Sequence, residues 1–345
     1  MHIIIFLIII MVLILVHEGG HFIIGKKSGI GVEEFAIGLG PTIWSVEKGG
    51  TKYSIKALPF GGACIFEGFD GEEENLGPNS FLKASVWARI ATVLAGPFMN
   101  FALAFFLSIF VIGSIGYDPP VIEAVMEGFP AEEAGLKPGD EIISINGDNI
   151  AIYRDISLYM LLNESKAANI VFKRNSDVLR TTIIPRYDSE SGRFLFGIMG
   201  GTRVKGNILT TLRYSASELR YWIESTWKSL GMLFAGRITK DDVAGPVGVA
   251  KVVGDVYEAS RPDGIFYVWI NMMVLTILLS ANLGVMNLLP IPALDGGRLV
   301  FLFIEAFTKR PLNAKVEAAV HFVGMCVLLV FMVFVLFNDI TRFFR

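Results

Sequence analysis

His17 and His21 stand four residues apart with Glu18 directly after the first, and residues 3–24 hold no other ionisable side chain. On a helix, positions i and i+4 share a face, so both imidazoles can hold one zinc ion while Glu18 points at a zinc-bound water. Zinc held by two or three protein ligands lowers the pKa of its water toward ~7, and an adjacent carboxylate can take the proton. An acidic or basic residue at mid-bilayer costs about 2.5–3.5 kcal/mol on insertion scales, so such residues persist where they have a role.

A zinc hydrolase of this kind needs a third protein ligand. His2 lies at the far end of the same helix, roughly 20 Å away at about 1.5 Å per residue. His321 opens a late apolar stretch and is a weaker candidate. A stronger one follows Asn287, where Pro290 and Pro292 break a helix and Asp295 precedes Gly296 and Gly297. Those two glycines read as allowing tight backbone turns. Non-helical backbone at membrane depth is tolerated only where protein or a wet cavity satisfies it. Asp295 there reads either as a metal ligand or as the cap of the next helix. The two cysteines, Cys64 and Cys326, give neither a disulfide framework nor a metal site.

The elements that must position these residues are membrane helices. Of 345 residues 53% are hydrophobic and 18% charged, which departs from soluble composition in both directions. Four apolar stretches, about 1–24, 86–116, 265–289 and 318–337, are long enough to span a bilayer. The first lacks a basic leader and an Ala-x-Ala site, so it reads as a retained helix. Lys26, Lys27, Lys48, Lys52, Lys56 and Lys83 load the first loop, and Arg298, Lys309, Arg310 and Lys315 the third. Both loops are therefore expected on the cytoplasmic side of the plasma (inner) membrane, with both termini and the middle segment outside. A net charge of −3 without basic runs gives no sign of nucleic-acid binding.

Residues 31–68 read as three β-segments, 34–39, 43–47 and 51–58, with turns at Gly40-Pro41 and Gly49-Gly50. Their apolar content suggests either a small cytoplasmic hairpin or a sheet dipping into the membrane. Residues 118–200 carry Gly128-Phe129-Pro130-Ala131, Ala134-Gly135-Leu136, Gly139-Asp140 and Ile145-Asn146-Gly147. That run resembles a PDZ domain, with Phe194-Leu195-Phe196-Gly197 as a displaced peptide-facing strand. Residues 201–264 are largely helical and amphipathic, suited to the membrane surface or to packing on the PDZ-like part.

With Gly96-Pro97-Phe98-Met99-Asn100 and Gly245-Pro246-Val247-Gly248 added, nearly the whole chain resembles the site-2 protease family of intramembrane zinc metalloproteases. The likeness is to its bacterial, RseP-like branch, here with one PDZ-like domain where well-studied members have two. The resemblance implies a polytopic α-helical membrane protein of about four transmembrane helices, with a membrane-associated β-hairpin or sheet loop and an inserted PDZ-like α+β domain. It divides the chain at 1–117, 118–200, 201–264 and 265–345. It makes His17, His21 and Asp295 the ligands of one zinc ion per chain, Glu18 the base, and Asn282 or Asn287 part of the substrate cleft. The loop at 31–68 would bind substrate. Tyr53, Ser54 and Ile55 belong to the strand expected to offer its edge to an unwound substrate helix. Substrates would be single-pass membrane proteins within the lipid bilayer, trimmed beforehand by another protease, such as anti-sigma factors or signal-peptide remnants. The PDZ-like domain would filter them.

Gly19 and Gly20 each cost about 1 kcal/mol in a helix interior relative to alanine, and are expected to make room for the helix bearing Gly96-Pro97. An ion-coupled transporter would also place His, Glu and Asp in the membrane, and an inactive scaffold would need only the PDZ-like part. Intact catalytic-type residues favour hydrolysis.

Overall fold

A computed structural model describes residues 2–68, 77–237, 244–310 and 314–343. Helix α1 (His2–Lys27) is apolar along nearly its whole length and contains no proline, so nothing interrupts its hydrogen-bond ladder. Phe6, Ile9, Leu13, His17, Gly20, His21 and Gly25 are its buried positions, at steps close to a helical turn. The metal-type residues thus continue the packing stripe.

Strands β1 (Val32–Lys48) and β2 (Thr51–Phe66) follow, joined at Gly49-Gly50. The chain reverses direction around Gly40-Pro41, as expected, while staying extended: Glu34 to Ile37 run along Lys52 to Ile55 and Trp44 to Glu47 run against them. β1 runs on through this reversal, bent where Gly38 and Gly40 adopt φ of 89° and 88°. The bend folds the two long strands into four short segments. Lys52 to Ile55 pair on one side with Glu47 to Trp44 and on the other with Glu34 to Ile37. Glu34 to Ile37 pair in turn with Ile65 to Gly62. Residues 52–55 are therefore internal to the sheet. The edge expected at Tyr53, Ser54 and Ile55 is already occupied, and among the described residues the outer segments are 42–48 and 62–66.

Helix α2 (Val86–Ile115) contains Pro97 and, with α1, is one of four helices among the described residues long and apolar enough to cross a membrane. The chain divides into two compact units, residues 105–225 and the remainder. Within the first lie β3 (Ile122–Val125), α3 (Pro130–Glu133), β4 (Glu141–Ile145), β5 (Asp148–Asn149) and α4 (Tyr153–Asn163). They are followed by β6 (Ala168–Arg174), β7 (Asp177–Ile183), β8 (Arg186–Asp188), β9 (Arg193–Leu195) and β10 (Ile198–Gly200). The main sheet has the order β5-β4-β6-β7, β10 pairs with β3, and Ile122, Ile142, Ile145, Ile156, Ile170 and Phe196 fill the core. This is the PDZ-like α+β unit. A groove of about 690 Å³ is lined by Ile156, Met160, Phe194, Phe196 and Ile198.

Helix α5 (Ile208–Phe234) starts in the same unit. Tyr214 stacks on Tyr117 at 3.8 Å, and Arg154 of α4 is held between Asp118 and Glu218. Up to residue 225, packing on the PDZ-like unit is thus realised. In the other unit, α6 (Pro246–Ser260) and α7 (Ile265–Asn287) close over α1, with Val253, Val268 and Met272 against Phe6, Ile9 and Leu13. Helix α8 (Asp295–Thr308) and helix α9 (Ala314–Phe343) complete the chain. The remaining candidate spans are 265–287 and 315–341.

Candidate metal centre

Two segments 274 positions apart in sequence, by 295 − 21, converge inside the membrane unit. His17 Nε2 and His21 Nε2 lie 3.3 Å apart, and Asp295 Oδ2 is 3.2 Å from the first and 3.3 Å from the second. Three donors on one tetrahedral zinc, each bonded at about 2.0–2.1 Å, would be separated by roughly 3.3–3.4 Å. The three observed separations match that spacing.

Hydrogen bonding points the same way. His21 Nδ1 donates to the Thr92 carbonyl at 2.9 Å, which leaves the Nε2 lone pair bare and facing Asp295. Asn100 meets His17 Nδ1 at 3.0 Å. Its Oδ1 is buried with no hydrogen-bond partner among the described residues, and a half-turn of the amide would let Oδ1 accept the Nδ1 proton. Asp295 Oδ2 is also buried with no hydrogen-bond partner among the described residues. Bare nitrogen lone pairs gathered on an orphaned carboxylate oxygen suit a cation. Each histidine is oriented through its other nitrogen, as metal-bound imidazoles are.

Asp295 is the first residue of α8, and the cap position, Leu294, makes no side-chain cap bond. Of the two readings of this carboxylate, its contacts support the ligand. Gly296 and Gly297 do not form turns; both lie in the first turn of α8. A Cβ on Gly296 would strike the Leu289 carbonyl oxygen and one on Gly297 that of Ile291. They permit close backbone approach instead.

Gly20 and Gly96 complete the pocket. A side chain at Gly20 would strike the Ala95 carbonyl oxygen, and one at Gly96 would strike His21 Nε2. Gly19 meets nothing within 4 Å, so the helix-seam expectation holds for Gly20 and not for Gly19. Glu18 is half-buried, and a Cβ on Gly62 would come within 3.1 Å of its Cγ and 2.8 Å of Ile14 Cγ2. The sheet segment beside the acid is therefore 62–66.

The other expected residues lie outside the three-donor cluster. Tyr53 packs with Phe22 and Phe35 at ring-centroid distances of 5.9 and 6.3 Å. Ser54 Oγ donates to Glu34 Oε1 at 2.6 Å, and exposed Ile55 pairs with Ile37 and Trp44. Asn282 Oδ1 accepts from Thr226 Oγ1, and half-buried Asn287 ends α7. His321 is not in the cluster. Its Nδ1 accepts from the Ala293 amide at 2.9 Å.

Sequence reasoning missed the Thr92 carbonyl and Gly62, neither of which carries a sequence signal. Asn100 did carry one, a lone amide within an apolar helix.

A family model described as Peptidase family M50 matches residues 5–331. A protein of Bacillus licheniformis named zinc metalloprotease RasP is 32% identical over 421 residues, covering 98% of this chain and 98% of its own length. One of Bacillus subtilis, named regulator of sigma-W protease RasP, is 30% identical over 421 residues with the same two coverages. Among solved structures, a PDZ domain of a Listeria monocytogenes protein is 21% identical and aligns with 25% of this chain and 90% of its own. Its TM-score of 0.23 lends no weight.

Proposed function

The chain belongs to peptidase family M50 and is a zinc metalloprotease, and from that premise we propose that it cuts peptide bonds within the membrane, with His17, His21 and Asp295 holding one zinc ion and Glu18 as the base. The observation that carries this reading is the convergence of three donors at 3.2–3.3 Å, two on a helix of membrane-spanning character and the third at the start of α8. When bound, zinc supplies an acidified water and a polarised scissile carbonyl.

The rest is the work of this chain's side chains. The Thr92 carbonyl and Asn100 fix the two imidazole planes, so no reorganisation is needed during turnover. Glu18 takes a proton from the attacking water onto a carboxylate oxygen and delivers it to the leaving amine nitrogen. The apolar stripe of α1 beneath the site, packed by α6 and α7, limits bulk water.

A substrate helix must unwind to expose a carbonyl, and an extended chain gains main-chain hydrogen bonds by joining a sheet edge. Of the two outer segments, 62–66 is the one beside Glu18, and we assign the added strand to that edge. Tyr53, Ser54 and Ile55 then support the sheet from within. Substrates of this type are single-pass membrane proteins, trimmed first by another protease. The sigma-W regulator among the relatives supports anti-sigma factors as one class. The groove of the PDZ-like unit serves as a filter on the outer face of the plasma membrane, with the metal centre toward the cytoplasm and both termini outside.

Glu18→Gln tests the assignment of the base. The purified variant should retain stoichiometric zinc and lose cleavage of a single-pass model substrate by about 10²–10⁴-fold, the usual contribution of a positioned base. Unchanged turnover would remove Glu18 from the role.

A further inference from the structure

His321 is the one histidine singled out for chemistry that the metal centre does not absorb, and it sits on α9. Its Nδ1 accepts a hydrogen bond from the Ala293 amide, two residues before Asp295. Ala293 adopts φ 76°, in the left-handed region that a residue with a Cβ occupies only at a cost. Such conformations persist when their surroundings over-determine them. Here the fixing comes from α9. A Cβ on Gly324, one turn beyond His321, would lie 2.7 Å from the Pro292 carbonyl oxygen, so the helix backbone presses directly on the same connection. The His321 ring also stands 5.7 Å from that of Phe301 on α8. These contacts stand out because only 11% of the apolar window of α9 is buried, against 28–44% for the other three spans.

We propose that His321 is a positioning residue for Asp295. By holding the Ala293 amide, it keeps residues 288–294 in the one conformation that delivers the carboxylate to the two imidazoles. This inference rests on the reading of Asp295 as a zinc ligand. It predicts that an acceptor at the Nδ1 position of residue 321 is needed for tight metal binding, although the residue touches no metal. In the neutral ring, Nδ1 as acceptor places the proton on Nε2, which is buried with no hydrogen-bond partner among the described residues. The ring therefore works through one nitrogen.

The test is zinc affinity, measured by chelator competition on full-length protein in detergent, with zinc alone as the probe. His321→Asn places its carbonyl oxygen near the Nδ1 position and should bind like the parent. His321→Gln, whose polar atoms reach past that point, and His321→Ala should bind about 10–100-fold more weakly, as when a ligand's support is removed. Adding Ala293→Gly to His321→Ala relieves the left-handed strain and should restore part of the loss. Parent-like affinity in His321→Ala would overturn the proposal. So would equal affinity in the Asn and Gln variants, a comparison that stands even if the alanine variant fails to fold. Asp295→Ala in the same titration separates the two readings. Parent-like affinity there would overturn the ligand assignment itself, whereas weak binding there beside parent-like His321→Ala would overturn the positioning role alone.

Discussion

His17, Glu18 and His21 ride on a 26-residue helix, whereas Asp295 emerges from an irregular connection between α7 and α8 with two prolines and a left-handed alanine. In the helix, geometry is inherited. A period of 3.6 residues sets two imidazoles on one face, and the backbone needs no help to hold them there. In the connection, geometry is imposed by packing: its own Leu289 and Ile291 carbonyls close on Gly296 and Gly297, and α9 presses from outside on Pro292 and Ala293. A half-site on a helix is specified by its own few residues. A half-site on a connection is specified by whatever packs against it.

That contrast is breakable at the glycines. Gly296→Ala should have the largest effect, because its Cβ meets the Leu289 carbonyl oxygen rather than a flexible side chain. Overpacking against backbone costs about 1–3 kcal/mol, and Asp295 is the neighbouring residue. Zinc content after dialysis should fall well below one per chain while far-ultraviolet circular dichroism stays helical. Full zinc retention would show that the connection is less constrained than its packing indicates.

Asn100→Ala should act more mildly, lowering zinc affinity or turnover by about 10–100-fold, as loss of an orienting partner does. Asn100→Asp, which keeps an acceptor for His17 Nδ1, should recover much of it. Equal losses in both would place the role of Asn100 elsewhere than in accepting from His17 Nδ1.

Gly19→Ala should have the smallest effect. Nothing lies within 4 Å of the added methyl, and alanine is favoured over glycine in a helix by about 1 kcal/mol. Thermal stability should hold or rise with activity unchanged. A large loss of activity would indicate that this face of α1 receives substrate.

The sequence made the helices readable because apolar length is a signal that tertiary context rarely overrides. All four expected spans correspond to long helices, with ends shifted by a few residues. The PDZ-like turns were equally visible, Asn146 and Gly147 taking φ of 51° and 92° as a tight hairpin requires. The β-loop was read only in part. Alternation shows that residues 51–58 form a strand, but it cannot say how many neighbours that strand has, and the bend at Gly38 to Gly40 supplied a second one. Likewise Asp295 was visible as a displaced carboxylate. The partners that hold it in place lie on α9, at a separation no local pattern encodes.

The central claim is that the helix and the connection build one metal centre from two imidazoles and a carboxylate. X-ray absorption at the zinc edge of the purified protein addresses it directly. Two imidazole nitrogens and light oxygen ligands at about 2.0–2.1 Å are expected, with no sulfur. A third imidazole in the first shell, or a zinc–sulfur distance near 2.3 Å, would contradict it.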